Sequence, residues 1–356
     1  MYICAMMKTQ LKGLSLPELQ AFVTEQGEKR FRANQLYLWM YNRLATTFDE
    51  MTDLSARFRQ QLQQQADLSA VTLETVQKSS SDETQKFLFK LHDDARIESV
   101  LMADGDRRTL CISTQVGCPI DCKFCATGAM GLKRNLTSGE IVDQILHAAR
   151  ASDKPLSNIV VMGMGEPMLN YDNLMQALAI VTDEDTLNLS RRHIVVSTSG
   201  LIPAIQRFQE DGHKYRLAIS LNATTDEVRT QLMPLNKKWP IRMLMQAARD
   251  YANASREIVT FEYVLLAGIN DSVEDARRLR QLVNGIRCKV NLIPYNATLR
   301  HFRRPEQAAI DAFYSEMRSL PWPVTVRWSK GVDIDAACGQ LVTKLENSKS
   351  QKTNPK

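Results

Sequence analysis

"TLCIST", residues 109–114, runs directly into "QVGCPIDCKFCATG", residues 115–128. A short apolar run rich in β-branched side chains suits a strand, and the loop after it carries three cysteines, so reactive side chains sit where a strand ends. The same succession recurs. "NIVVMG" leads into "GMGEP", "HIVVST" into "STSG", "RLAISL" into "SLNA" and "CKVNLIP" into "PYN", with "IVTFEYVLLAG" a further strand of this kind. Six strands, each followed by a helix-length segment, predict repeated βα units and a parallel sheet with covered faces. Polar clusters just past strand ends are what a βα barrel places on its working face. The expected fold class is α/β: a partial parallel (βα) barrel preceded by a small helical domain.

That leading unit is read from its caps. Ser15 with Glu18 forms a capping-box signature, Pro17 lies in the first turn and Gly27 is placed to stop the helix. A second helix is expected from about Arg32 through "ANQLYLWMYNRL", and a third from Leu54 through "SARFRQQLQQQ". Residues 1–69 are thus expected to form a helical accessory domain. Residues 70–106, with "KFLFKL" and "RIESVLM" set apart by "SSSDET" and "HDDA", are expected to be linking strands. Residues 107–345 are expected to form the barrel and a C-terminal cysteine segment, and the polar stretch 346–356 a disordered tail.

With 356 residues, 44% hydrophobic and 24% charged, the composition is that of an ordinary globular chain. The net charge of +5 suits an anionic partner without requiring one. No apolar run approaches the ~18 residues of a membrane helix. The opening "MYICAMM" lacks the basic start of a signal peptide, and Met6 or Met7 could equally begin the protein. A cytoplasmic location away from any membrane is the expectation. Seven cysteines are an odd number: Cys111, Cys118, Cys122 and Cys125 crowd together while Cys4, Cys288 and Cys338 are scattered. Such crowding points to metal or catalysis and not to a disulfide framework. Cys288 reads as core and Cys4 as incidental.

A C-x-x-C pair alone suits zinc or a dithiol redox couple. Structural zinc takes four protein ligands, and the scattered cysteines or the five histidines could supply the fourth. A four-iron cluster held by only three thiolates instead leaves one iron open to a non-protein ligand. Spacing alone leaves both readings standing.

Cys118, Cys122 and Cys125 in C-x-x-x-C-x-x-C after the first barrel strand, with Phe124 before the last of them, resemble the signature of radical S-adenosylmethionine enzymes. "QVGCPIDCKFCATG", "RNLTSGEIVDQI", "VVMGMGEPMLNYDN", "LNKKWPI" and "IDAACGQL" together resemble the bacterial RNA methylases of the RlmN and Cfr type. That resemblance implies a radical-SAM partial barrel with a [4Fe-4S] cluster on Cys118, Cys122 and Cys125. It implies that S-adenosylmethionine (SAM) is held by Gly165, Glu166, Ser197, Ser220, Leu221, Asn222 and Asn296. It further implies that Cys338 is the cysteine that becomes S-methylated, Cys111 the thiol that frees the RNA, and Glu98 a proton acceptor. Adenine C2 is electron-poor and cannot attack a methyl sulfonium, which is why such a target needs a radical supplied by a cofactor.

The chain departs from the family pattern at Asn222, where histidine is more usual, and at "LRHFRRPEQ", whose counterpart is often longer. The implied substrates are an adenosine of 23S rRNA and one of tRNA, the implied electron donor a flavodoxin or ferredoxin, and the implied state a monomer. Basic and aromatic residues interleave in "EKRFRANQLYLWMYNR", and arginines gather in "SRRH" and "RHFRR", each a candidate RNA contact or a solvated face. The competing readings are a C8-adenosine methylase of Cfr type and a non-catalytic RNA-binding or zinc-stabilised protein. Taken singly, Cys111 reads as a core thiol, Cys338 as a small residue at a helix start, and Glu98 as a solvated strand carboxylate.

Overall fold

A computed structural model describes residues 8–298 and 301–342. Cys4, the alternative starts Met6 and Met7, the first two residues of "LRHFRRPEQ" and the 346–356 tail lie outside the described residues. The chain opens with α1 (Leu16–Glu25), α2 (Arg32–Tyr41) and α3 (Ala56–Gln65). The Glu18 carboxylate accepts from the Ser15 backbone N–H at 2.7 Å, which realises the capping box. Ser55 caps α3 by accepting from Phe58 N. A short parallel pair, Thr9–Gln10 with Ala66–Asp67, ties the two ends of this unit together.

Ten strands then form one sheet: β1 (Thr72–Lys78), β2 (Gln85–Lys90), β3 (Arg96–Asp104), β4 (Arg107–Cys111), β5 (Asn158–Val161), β6 (Ile194–Thr198), β7 (Arg216–Ser220), β8 (Val259–Leu265), β9 (Cys288–Pro294) and β10 (Val324–Val326). Their spatial order is their chain order. From β4 to β10 every pairing is parallel, whereas β1 to β4 pair antiparallel. The six expected barrel strands are all present. The strands at 70–106 extend the same sheet, and the short β10 adds an edge that the sequence reading lacked.

Helices follow the parallel strands: the single turn α4 (Ala126–Ala129) and α5 (Ser138–Ala151) after β4, then α6 (Tyr171–Thr182), α7 (Ile202–Glu210), α8 (Asp226–Leu232), α9 (Ile241–Ser255), α10 (Val273–Val283) and α11 (Gln307–Met317). Apolar side chains such as Ile159, Val161, Val196, Leu217, Ile219, Phe261 and Leu292 are buried beneath them. Because strand side chains alternate, the intervening residues face the inside of the curved sheet. Gln144 on α5 binds the Ser99 hydroxyl and both backbone groups of Ser113, fastening helix to sheet. The N-terminal unit docks through close backbone contact, since a Cβ on Gly139 would lie 2.2 Å from the Lys12 carbonyl. Asp143 reinforces the seam by accepting from Ala70 N and Val71 N. No described helix is long and apolar enough to cross a membrane.

After β10 the chain does not return to the sheet. Residues 327–342 cross from the β10 edge back to the β1–β3 edge as a strap. The Asp333 carboxylate accepts from the Ser79 hydroxyl and Ser80 N, the Asp82 carboxylate accepts from Gly331 N, and Lys330 reaches Asp104 and the Ala103 carbonyl.

Candidate active site

The inside of the curved sheet is a cavity of about 660 Å³. Cys118, Cys122 and Cys125 line one end, and Cys111 on β4 and Cys338 on the strap line it further in. All six described cysteines are free thiols. The cysteine loop is shaped by its own backbone: Cys125 N donates to the Cys122 carbonyl and Cys118 N to the Gly131 carbonyl, both at 3.0 Å. Burial pushes the Cys118 thiol up to about 12 and that of Cys122 well above its ordinary value, the neighbouring thiols adding to the effect. Bare thiolates are therefore disfavoured here, and a cationic metal centre is what would hold the three as ligands. Among the described residues no three His, Cys, Asp or Glu side chains converge on the point a single ion would occupy. Three cysteine thiols on one loop, lining one end of the cavity, are a donor set that an iron–sulfur cluster takes, each sulfur on its own iron.

The strand ends that follow complete the wall. Gly165 (φ +105°) takes a conformation few side chains allow, and a Cβ there would lie 2.6 Å from Gln115. Glu166 is buried and both of its oxygens are engaged: one accepts from Met168 N, the other from the Ser199 hydroxyl at 2.7 Å and Ser199 N at 2.8 Å. It braces the loop after β5 against the end of β6. Burial nonetheless raises its pKa, with the Ser199 bonds opposing. Ser197, Ser220 and Asn222 line the cavity. Asn222 sits at φ +57°, a region asparagine tolerates, and its Oδ1 accepts from Val264 N.

Two expected contact residues are placed differently. The Leu221 side chain is fully buried away from the cavity, so only its backbone faces the loop. Asn296 is also absent from the lining: its Nδ2 donates to the Ser329 hydroxyl at 2.8 Å and the Cys338 carbonyl at 3.3 Å, while Oδ1 accepts from Arg304. It holds the strap.

Cys338 is exposed and lines the cavity, which opens to the outside. Burial pushes its thiol up to about 11 and that of Cys111 up to about 12, and the charge of Cys338 adds to the shift at Cys111. Both sulfurs thus line one cavity, and Cys338 bears on Cys111. Arg327 acts on both in the opposite direction, favouring the thiolates. Glu98 faces the same side of β3 as the cavity-lining Val100 and Met102, but lies beneath the strap, 4% exposed and 3.4 Å from Lys86 Nζ. Its Oε2 has no hydrogen-bond partner among the described residues, and burial raises its pKa against the pull of Lys86.

Several groups at the site escaped the sequence reading. Arg229, fully buried, donates to the carbonyls of Leu221, Ser199 and Ser220 and to Asn236 Oδ1, pinning the ends of β6 and β7. Glu262 on β8, in register with Ser220 and Asn291, accepts from Asn291 Nδ2 and leaves Oε2 unpartnered in the cavity. A carboxylate inside the apolar run "IVTFEYVLLAG" was the available signal. Arg229 had none.

Comparison with known proteins agrees with this architecture. Residues 9–68 match the family "Ribosomal RNA large subunit methyltransferase N-terminal domain", and residues 112–280 match "Radical SAM superfamily". The chain is 47% identical over 340 residues to the dual-specificity RNA methyltransferase RlmN of Geobacter sulfurreducens, covering 94% of this chain and 92% of that one. It is likewise 47% identical over 337 residues to a probable dual-specificity RNA methyltransferase RlmN of Geobacillus kaustophilus, with 93% and 92% covered. A crystal structure of a radical SAM methyltransferase from Sphaerobacter thermophilus superposes with a TM-score of 0.91 at 44% identity, over 94% of this chain and 99% of that one. The chain therefore belongs to the RlmN family of radical SAM RNA methyltransferases, enzymes that use a [4Fe-4S] cluster and S-adenosylmethionine.

Proposed function

We propose that this enzyme methylates C2 of adenosine in 23S rRNA and in tRNA, with Cys338 carrying the methyl group to the base and Cys111 releasing the product. The observation that carries the reading is that these two thiols, from β4 and from the strap, line the one cavity that the cysteine loop also lines. The relatives named above are dual-specificity enzymes by description, which supports two RNA substrates. Cys118, Cys122 and Cys125 would hold the cluster; Gly165, Glu166, Ser197, Ser220, Leu221, Asn222 and Asn296 would hold or brace the S-adenosylmethionine site. When bound, these cofactors supply a carbon-centred radical able to take hydrogen from an unactivated methyl group.

The remaining work falls to the protein. Cys338, opening onto the cavity, presents its sulfur and the attached carbon to the adenine. The buried Glu98 carboxylate, with Oε2 free, is the proton acceptor for the C2 proton, and the odd electron left on the base would be taken up by the bound redox cofactor. Cys111 Sγ then gives up its proton, which Arg327 favours electrostatically, and attacks the Cys338 sulfur. An S–S bond forms and the S–CH₂ bond to the base adduct breaks. The electron pair of that bond passes to the carbon, which takes up the equivalent of the proton that Cys111 released and departs with the RNA as a methyl group. The resulting disulfide is reduced by a cellular dithiol before the next turnover.

We place the enzyme in the cytoplasm as a monomer, served by a flavodoxin or ferredoxin as electron donor. Oxygen-free incubation of the reconstituted protein with S-adenosylmethionine, reductant and unmodified 23S rRNA or tRNA, followed by nucleoside analysis, tests the reading. 2-Methyladenosine in both RNAs is the expected product. 8-Methyladenosine would overturn the position of attack, and unmodified RNA the whole reading.

A further inference from the structure

The beginnings of the barrel strands carry a polar region that the chemistry above leaves unused. Arg107 opens β4, Arg216 opens β7 and Lys289 is second in β9. All three line the same cavity as Cys111 and Cys338. The cavity therefore runs along the strands, with the cysteine loop at one end and cations at the other. Arg107 and Arg216 also line an adjoining cavity of about 600 Å³ with Asn158 and His193, the last residue of the "SRRH" patch.

Charge is unbalanced there. Asp106 is taken by Lys154 at 2.6 Å and Asp104 by Lys330 at 3.3 Å. Arg107, Arg216 and Lys289 have no carboxylate within ion-pair distance among the described residues. They are close enough together that Arg327, Arg216 and Arg107 all bear on the Lys289 ammonium, only Glu262 opposing them. Gathered like charges without counterions cost energy, and an anion from outside would relieve it. A second feature borders the same cavity. Trp328, on the strap beside Arg327, is 50% exposed, an unusual position for so large an apolar side chain and a ready stacking platform for a base.

We propose that RNA reaches the two catalytic thiols from the strand-start end of the barrel, with Arg107, Arg216 and Lys289 holding phosphates around the target nucleotide and Trp328, further along the cavity just past the end of β10, stacking on a base. This rests on the RNA methylase reading above. Arg107 and Cys111 lie on one face of β4, roughly 13 Å apart along the strand, a span that one extruded nucleotide plus an arginine side chain covers. The cysteine-loop end is thereby left to the cofactors, and substrate and cofactor approach from opposite ends.

The test uses the full-length reconstituted enzyme and a fluorescent adenosine-containing RNA stem-loop, with affinity followed by anisotropy across salt concentrations. Arg107→Glu with Arg216→Glu should weaken binding at least ten-fold and flatten the salt slope by roughly two. Cluster absorbance and S-adenosylmethionine binding should not change, since neither residue is near the cysteine loop. Trp328→Ala should weaken binding roughly ten-fold and Trp328→Phe much less, because stacking survives on the smaller ring. Lys237→Glu with Lys238→Glu reverses two exposed charges at the cysteine-loop end and should leave RNA affinity within two-fold. If that pair abolishes binding while the strand-start variants bind normally, the proposed route is overturned and the methylase reading stands. A wild-type protein that neither binds nor methylates RNA would overturn both.

Discussion

The two groups of cysteines in the cavity are built in opposite ways. Cys118, Cys122 and Cys125 lie on one continuous loop, closed by its own backbone bonds and docked through Lys123 N to the Leu232 carbonyl and Thr298 to the Phe124 carbonyl. Cys111 and Cys338 come from opposite ends of the barrel segment and meet only because the strap is anchored at both margins of the sheet. Its anchors include Asp333 to Ser79 and Ser80, Asn296 to the Cys338 carbonyl, the Thr127 hydroxyl to the Leu341 carbonyl at 2.6 Å, and Ala126 N to the Gly339 carbonyl at 2.8 Å. Metal ligation is thus a local property of this chain, and the thiol pair a property of the whole fold.

The sharpest way to break this contrast is Cys122→Ala. Removing one of three ligands should abolish the visible cluster absorbance after anaerobic reconstitution, and all methylation with it, while leaving the strap docked; unchanged iron content would contradict the ligand assignment. Cys111→Ala addresses the other group. The cluster should form normally, but RNA should accumulate as a covalent protein adduct through Cys338, because the thiol that breaks the S–CH₂ bond is gone. A clean denaturing gel with full turnover would remove Cys111 from the release step.

Arg229→Met probes the cofactor side without touching a cysteine. It strips hydrogen bonds from the carbonyls of Leu221, Ser199 and Ser220 inside the protein, a loss of about 1–3 kcal/mol for each carbonyl left unpaired. The thermal midpoint should fall and S-adenosylmethionine binding should weaken, with the Cys111–Cys338 side responding only through global stability. An unchanged midpoint would mean that other donors replace the guanidinium.

The thiol pair has its own pH signature. Only a thiolate alkylates, and a raised pKa means fewer thiolates at neutral pH. With Cys338 pushed up to about 11, its carbamidomethylation by iodoacetamide at pH 8 should run roughly two-hundred-fold slower than that of an ordinary thiol near 8.5. The rate should climb with pH until about 11, since Cys338 is exposed to the cavity and access does not limit it. Mass spectrometry of labelled peptides measures this. A plateau near pH 9 would show that Arg327 outweighs burial.

The same contrast sets what the sequence makes legible. The triplet and the six parallel strands are written in short windows, through spacing and β-branched runs, and the structure places them in the order expected. Linking strands at 70–106 could be read as strands but not as part of the barrel sheet, because pairing partners are not a local property. The three-residue β10, following "PWP", is too short to leave a periodic trace. Cys111 and Cys338 were found through resemblance to a family, since nothing near either residue names the other. Leu221 and Asn296, also assigned by resemblance, carry features that no short window shows, a fully buried side chain and a clasp on the strap. Arg229 leaves no sequence trace, for its value lies entirely in the carbonyls that the fold brings around it.

Asn296 is therefore where the smallest expected effect carries the most information. Asn296→Ala removes the bonds to Ser329 and the Cys338 carbonyl and leaves Arg304 without its side-chain acceptor, a loss of about 1–2 kcal/mol against a strap that keeps its other anchors. Global stability should barely move. Amide exchange across 331–341 should accelerate several-fold in protein without cofactors, because the clasp acts on the chain itself and needs no ligand to be felt. If exchange there is unchanged and only S-adenosylmethionine affinity falls, Asn296 serves the cofactor directly, and the strap is held by the Asp333 and Thr127 ends alone.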